Sequence, residues 1–142
     1  MKDIIIIGSG PAGLSAAVYG RRAGLDILVI EKEYCGTGQI AESGQVDNYL
    51  GIPGIEGYSL GEKFREHAEN LGTAFLEEEV TKLEQSDGYW KVLLAGGDVL
   101  ETKTVIYAAG ASHRHLNVPG EDKLSGRGVS YCATCDGAFF QG

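Results

Sequence analysis

The chain has 142 residues, a formal net charge of −8 and an apolar content of 43%, so it is long enough to form an ordinary globular core. No lysine and arginine cluster is longer than Arg21-Arg22, which argues against a nucleic-acid surface, and no apolar run approaches the roughly 18 residues needed to cross a membrane. Glycine is the outlier at 22 residues, which indicates many tight turns or close approaches of the backbone to a ligand.

The beginning of the chain predicts a strand, a helix and a second strand. Asp3–Ile7 and Ile27–Ile30 are short apolar runs rich in β-branched residues, as in strands that are buried on both faces. Pro11 suits the first turn of a helix, and Ala12–Ala23 contains good helix formers. This order within about 30 residues indicates a right-handed parallel crossover.

The turn between the first strand and the helix is the main nucleotide motif. Gly8–Gly13 reads GSGPAG and matches G-x-G-x-x-G, in which the glycines allow a tight turn, approach of a pyrophosphate and close helix packing. The helix N-terminus offers free N–H groups to phosphates. Glu31 ends the second strand, where a carboxylate binds a ribose and repels a 2′-phosphate. NAD or FAD is therefore favoured here over NADP, and a ligand-free structural turn is the alternative.

The next segment is irregular and is followed by a helix. Glu33–Gly57 is long for a connection, which is typical of a functional or ligand-ordered loop. We expect a helix that begins at Ser59 with a capping box to Glu62 and ends at Gly72. The apolar residues on one face of this helix are Leu60, Phe64, Ala68 and Leu71.

Three strands are predicted after this helix. They cover Phe75–Leu83, Tyr89–Leu94 and Val99–Tyr107, and the turn signals Asp87-Gly88 and Gly96-Gly97 separate them. The polar connector Ser112–Gly128 follows, and we interpret it as a hinge or domain boundary.

Cys132 and Cys135 form a C-x-x-C motif that Asp136 follows directly. A zinc site needs two more cysteine or histidine ligands, and no second C-x-x-C is present. A structural disulfide closing four residues contributes only about 2 kcal/mol by chain entropy. A redox pair meets neither objection, since short C-x-x-C loops often lower the pKa of one thiol. Asp136 then either moves a proton for the leaving thiol or caps a helix.

Together, the nucleotide motif and the dithiol resemble low-molecular-weight bacterial thioredoxin reductases over essentially the whole chain. The most specific block is Gly126–Gly137, which reads GRGVSYCATCDG. The other segments that carry the resemblance are Ile7–Gly13, Gly38-Gln39, Val46–Tyr49 and Val105–Arg114. The resemblance implies an α/β fold: an FAD-binding Rossmann-like domain of three layers (ββα), incomplete, over residues 1–112. It also implies that residues 113–142 contain a hinge and the start of a second nucleotide-binding domain that carries the C-x-x-C motif.

The resemblance also implies which residues form the site. Cys132 and Cys135 correspond to the redox-active pair, and Asp136 corresponds to the acid beside it. The residues expected to bind FAD are Gly8, Gly10, Pro11, Ala12 and Gly13 at or beside the pyrophosphate, Glu31 at the adenosine ribose, Gln39 and Asn48 on the flavin side, and Gly38, Val80, Ala109 and Gly110 elsewhere along the cofactor. Thr37 stands where the family usually has a glycine, so the pattern departs from the family there.

In enzymes of this kind NADPH reduces the flavin, the flavin reduces the disulfide, and the dithiol reduces thioredoxin; homodimers are common. The chain has one G-x-G-x-x-G and stops at Gly142, so we expect it to lack the NADPH site and not to turn over NADPH alone. The alternatives are a non-catalytic FAD- or nucleotide-binding fragment or partner module, and a flavin-dependent oxidase of small-molecule dithiols. The N-terminus does not resemble a secretory signal, so we expect a cytoplasmic protein.

Overall fold

The computed structural model describes residues 1–34 and 38–140, with the backbone alone at residues 134, 135, 138 and 139. Thr37 and Gly142, on which sequence-based expectations fall, and the third cysteine, Cys35, therefore lie outside the described residues. The chain divides into two units, Met1–Gly110 and Ala111–Gly142.

The first unit is built on one mixed six-stranded sheet. Its strands are β1 (Lys2–Ile7), β2 (Ile27–Glu31), β3 (Ala74–Glu77), β4 (Val80–Ser86), β5 (Tyr89–Leu94) and β6 (Val99–Tyr107). They lie in the order β3-β2-β1-β6-β5-β4; the first four are parallel, and β6, β5 and β4 pair antiparallel. Two helices, α1 (Pro11–Arg22) and α2 (Gly57–Asn70), and a 3₁₀ helix at Gly38–Glu42 complete the unit.

Two apolar clusters lie on opposite faces of the parallel strands, because successive side chains of a strand alternate between faces. On one face Ile6 and Val29 pack with Leu14 of α1 and Ala68 of α2. The residues that form the other cluster are Ile5, Ile7 and Ile30 from the parallel strands and Val92 and Leu94 from β5. The antiparallel strands therefore fold back over the sheet, and the predicted α/β fold of three layers is confirmed.

The sequence predicted β1, α1 and β2 to within one residue at each end, and β5 and β6 at their observed bounds. The predicted single strand Phe75–Leu83 is wrong. The chain forms β3 beside β2, turns at Glu78 and Glu79, and then forms β4 beside β5. The backbone N–H of Glu78 donates to the carbonyl of Glu31 at 2.8 Å, whereas the carbonyl of Glu79 accepts from the N–H of Ala95 at 2.8 Å. The chain therefore changes its pairing partner between these two residues.

The predicted start of α2 at Ser59 is also wrong, since the helix begins at Gly57 with Glu56 as its N-cap residue. Ser59 donates its hydroxyl hydrogen to Oε2 of Glu56 at 3.2 Å, so the expected capping box does not form. A Cβ at Gly57 would lie 1.8 Å from the carbonyl oxygen of Ile40. The helix start is thus set by close contact with the 3₁₀ helix, which glycine alone allows.

The described residues of the second unit form short elements: α3 (Glu121–Leu124), α4 (Ala133–Asp136) and a 3₁₀ helix at Gly137–Phe140. Its backbone also forms an isolated bridge between Ser125 and Val129. Among the described residues of both units, no helix combines the length and the apolar character that a membrane crossing requires.

Candidate nucleotide site and dithiol

A cavity of about 680 Å³ opens at the carboxyl ends of β1 and β2, where ligands bind in open α/β sheets. Its lining includes five of the residues that the sequence analysis assigned to a cofactor, namely Gly8, Glu31, Gly38, Val80 and Ala109. Ser9, which that analysis passed over, is buried and also lines it. Within the part of the chain that the structure describes, the other assigned residues do not line this cavity, namely Gly10, Pro11, Ala12, Gly13, Gln39, Asn48 and Gly110.

The turn after β1 requires glycine at two positions. Gly8 has φ +105°, and a Cβ there would lie 2.3 Å from the carbonyl oxygen of Ala108. A Cβ at Gly13 would lie 1.9 Å from the carbonyl oxygen of Gly8. These contacts place the end of β6 and the start of α1 directly against the turn.

The N-terminus of α1 carries no side-chain cap. Gly10 is its N-cap residue, Pro11 occupies the first turn, and no acidic residue lies in that turn. A helix begins with N–H groups that have no partner within the helix and with a partial positive charge. The segment fits a phosphate group for that reason. Gly38 is close by, since a Cβ built on it would lie 3.9 Å from Cα of Gly10.

The Glu31 carboxylate at the other side of the cavity is only half satisfied. Its side chain is 3% exposed, and its Oε1 accepts a hydrogen bond from Nη1 of Arg65 at 2.5 Å. Oε2 is buried and has no hydrogen-bond partner among the described residues. An unsatisfied buried acceptor costs about 1–3 kcal/mol, and more when it is charged. A ligand hydroxyl at Oε2 would remove that cost, so the carboxylate fits the ribose of a dinucleotide.

Arg65 is the site residue that the sequence analysis missed. It lies on α2, is buried, and donates from Nε to Glu69 at 2.7 Å as well as to Glu31. Burial lowers its pKa, but the hydrogen bonds and charges of Glu69 and Glu31 outweigh burial and raise it. The available sequence signal is weak: Gly57, Gly61, Arg65 and Ala68 follow helical spacing, which places Arg65 on one helix face with small residues.

The dithiol motif lies in the second unit. Cys132 is exposed and disulfide-bonded, and its carbonyl accepts a hydrogen bond from the N–H of Asp136 at 3.0 Å. The side chain of Cys135 lies outside what the structure describes. Asp136 is the last residue of α4 and directly precedes the 3₁₀ helix at Gly137–Phe140.

Glu121 organises the rest of the second unit, although nothing in the sequence pattern marked it. The residue is buried, and its carboxylate accepts hydrogen bonds from the N–H groups of Leu116 and Asn117 at 3.0 and 2.6 Å, from the Tyr131 hydroxyl and at 3.0 Å from His115. Tyr131 in turn stacks on His113 with 4.0 Å between ring centroids. This contact supports a packing role for Tyr131, which directly precedes the dithiol.

Burial on its own raises the pKa of Glu121, but the hydrogen bonds from Leu116, Asn117 and His115 outweigh it, and its pKa is lowered below the ordinary 4.5. A carboxyl with a lowered pKa stabilises the folded state above pH 4.5, and that contribution is lost as the pH falls through the folded pKa. We expect the amide hydrogens of Leu116 and Asn117 to lose protection from exchange in that acidic range, relative to their intrinsic rates. Glu121→Gln should weaken their protection already at neutral pH. Unchanged protection in both tests would contradict this account.

Comparison with known proteins gives one family. The sequence pattern of the family described as pyridine nucleotide-disulphide oxidoreductase matches residues 2–141. A thioredoxin reductase from Bacillus subtilis is 47% identical over 140 residues, which cover 99% of this chain and 44% of that protein. The solved thioredoxin reductases from Streptococcus pyogenes and Lactococcus lactis are 43% and 42% identical, with TM-scores of 0.85 and 0.81. Each match covers 99% of this chain and respectively 45% and 46% of the solved chain.

The chain therefore spans less than half the length of these relatives. The resemblance to thioredoxin reductases that the sequence motifs indicated is confirmed over nearly the whole chain. The likeness extends to the fold, since each structural match covers 99% of this chain. On these grounds the chain belongs to the pyridine nucleotide-disulphide oxidoreductase family, and the relatives that it matches within that family are thioredoxin reductases.

Proposed function

We propose that this chain is the FAD-binding and dithiol-bearing part of a thioredoxin-disulfide reductase. The observation that carries the proposal is the buried, unpartnered Oε2 of Glu31, a residue that lines the same cavity as Gly8 and Ser9 of the glycine turn. Helix α1 begins directly after that turn and has no side-chain cap at its N-terminus. A carboxylate acceptor on the cavity and an uncapped helix N-terminus directly after the glycine turn match the two ends of an adenosine diphosphate group. The relatives named above support the choice of FAD among dinucleotides.

In this proposal the residues of the first unit hold the cofactor. Gly8, Gly10, Ala12 and Gly13 line the pyrophosphate, with Pro11 setting the first turn of the helix, and Glu31 accepts hydrogen bonds from the ribose. The remaining proposed contacts are Gly38, Gln39, Asn48, Val80, Ala109 and Gly110. FAD, when bound, supplies the transfer of an electron pair between a nicotinamide and a disulfide.

The second unit would deliver electrons to the substrate. With Cys132 and Cys135 reduced, one thiolate attacks the disulfide of thioredoxin and forms a mixed disulfide; the other thiol then displaces the reduced product and restores the protein disulfide. Asp136 would exchange the proton that accompanies the leaving thiolate. NADPH as the electron donor, a homodimeric assembly and a cytoplasmic location are part of the same proposal and follow from the resemblance.

The proposal is tested first by cofactor content. We expect the natively purified chain, with its length checked by intact mass, to be yellow or to bind added FAD, and to bind FMN at least tenfold more weakly. FMN is the matched control because it retains the flavin but lacks the adenosine and one phosphate. A chain that binds no FAD, or that binds both flavins equally, would refute the proposed site.

Redox behaviour then separates the proposal from its alternatives. If an added dithiol reduces the protein disulfide and the bound flavin then becomes reduced, the result supports a reductase. Bound FAD that never exchanges electrons with Cys132 favours a non-catalytic binding fragment. Rapid oxygen consumption with a small dithiol substrate favours a dithiol oxidase.

A further inference from the structure

Arg65 divides its donors between two carboxylates of very different exposure. Its Nη1 lies 2.5 Å from Oε1 of Glu31, whose side chain is 3% exposed, and its Nε lies 2.7 Å from Oε1 of Glu69, whose side chain is 47% exposed. The strongest arginine–carboxylate pairs are bidentate, with two N–H groups on two oxygens of one carboxylate. Arg65 instead binds a single oxygen of Glu31, and the other oxygen stays buried and unpartnered.

The guanidinium is fixed in this arrangement by aromatic side chains. Its central carbon lies 3.7 Å from the ring centroid of Phe75, and the ring of Tyr34 lies at 4.9 Å. Contact with a ring face orients a planar guanidinium and adds a favourable cation–π term. Phe75 belongs to β3 and Tyr34 follows β2, so the sheet edge and α2 together hold Arg65 against Glu31.

We infer that Arg65 is a positioning residue for the adenosine ribose: it holds the Glu31 carboxylate turned so that Oε2 accepts a hydrogen bond from a ribose hydroxyl. The inference rests on the proposed function, because it needs a nucleotide in the cavity. Burying a carboxylate without a positive partner is costly, so without Arg65 the Glu31 side chain would leave this position. Arg65 therefore acts on the ligand through Glu31 rather than by touching it.

The test measures discrimination between ribose and deoxyribose. The probes are ADP, 2′-deoxy-ADP and 3′-deoxy-ADP, whose dissociation constants are measured by calorimetry with the wild-type chain and its variants. We expect wild type to prefer ADP over at least one deoxy analogue by about tenfold or more, the effect of a hydrogen bond to a charged acceptor. Arg65→Met should reduce that ratio to below about threefold, and Arg65→Lys, which restores the charge, should give an intermediate ratio.

Glu69→Gln is the matched control, because it removes the negative charge of the exposed partner of Arg65 and leaves Glu31 in contact; it should keep the wild-type ratio. A general loss of stability does not change the ratio, since it weakens ADP and its analogues equally. If Arg65→Met does not fold, Arg65→Lys still tests the inference. An Arg65→Lys variant with the wild-type preference for ADP over its deoxy analogues would overturn it.

FAD binding by wild type is recorded beside these measurements. A wild-type chain that binds neither FAD nor ADP contradicts the proposed function and, with it, the role of Arg65. A chain that binds FAD and discriminates ribose from deoxyribose to the same degree with and without Arg65 contradicts the role of Arg65 alone.

Discussion

Replacing Gly8 with alanine is expected to abolish FAD binding and to lower the melting temperature by about 6–15 °C. Two costs add at this position. The backbone has φ +105°, where a side chain costs about 1–2 kcal/mol, and the new Cβ would lie 2.3 Å from the carbonyl oxygen of Ala108, an overpacking cost of about 1–3 kcal/mol. In a chain of this size each kcal/mol shifts the melting temperature by about 3 °C. Calorimetric melting and FAD titration measure both effects.

Gly24→Ala separates the two costs. Gly24 also has positive φ, +78°, but a Cβ there meets nothing within 4 Å, and the residue follows the far end of α1. We expect the control to lose only the smaller, conformational part of the stability and to bind FAD as wild type does. Equal effects of the two substitutions, or normal FAD binding by Gly8→Ala, would show that the approach of β6 to the turn does not shape the site.

Replacing Cys132 with serine is expected to stop electron exchange between the protein dithiol and bound flavin. Cys132 is exposed and disulfide-bonded, so an added dithiol such as dithiothreitol can reduce it. In wild type loaded with FAD and kept anaerobic, we expect dithiothreitol to bleach the visible flavin absorbance. In Cys132→Ser the rate should fall by several orders of magnitude, because loss of a nucleophile removes the route rather than slowing one step.

Cys35→Ser is the control, since it removes the third cysteine and leaves the C-x-x-C motif intact. It should bleach at the wild-type rate. Bleaching that is unchanged in Cys132→Ser would contradict the redox role, whereas equal loss in both variants would assign a part to Cys35.

The sequence predicts the fold best where local patterns and long-range packing agree. β5 is bounded by Asp87-Gly88 and Gly96-Gly97, and its predicted and observed bounds coincide. At the junction of β3 and β4 the sequence has three glutamates but no residue typical of a turn, so no local signal marks the end of β3. The two strands are separated because each pairs with a different neighbour. The start of α2 depends on a contact with Ile40, which no local pattern contains.

The candidate site likewise contains residues that local spacing identifies and residues whose role depends on distant partners. The glycine turn and Glu31 are identified by spacing along β1, α1 and β2. Arg65 is 34 residues from Glu31 and of a type that normally lies at the surface, so its burial follows from the partner and not from its own character. Glu121 escaped notice for a related reason, since its partners Leu116 and Asn117 donate backbone N–H groups, which carry no residue-specific signal.

The position of β1 in the sheet has a consequence for the order of assembly during synthesis. Ile4 pairs with Ile27 on one side, whereas on the other side it pairs with Thr104, a full 100 positions along the chain. The nascent βαβ unit therefore emerges from the ribosome with one edge of its central strand unpaired, and it stays so until β6 has been translated. Since Ala108 and Ala109 follow β6 and complete the wall beside Gly8, the nucleotide site cannot close before most of the first unit exists.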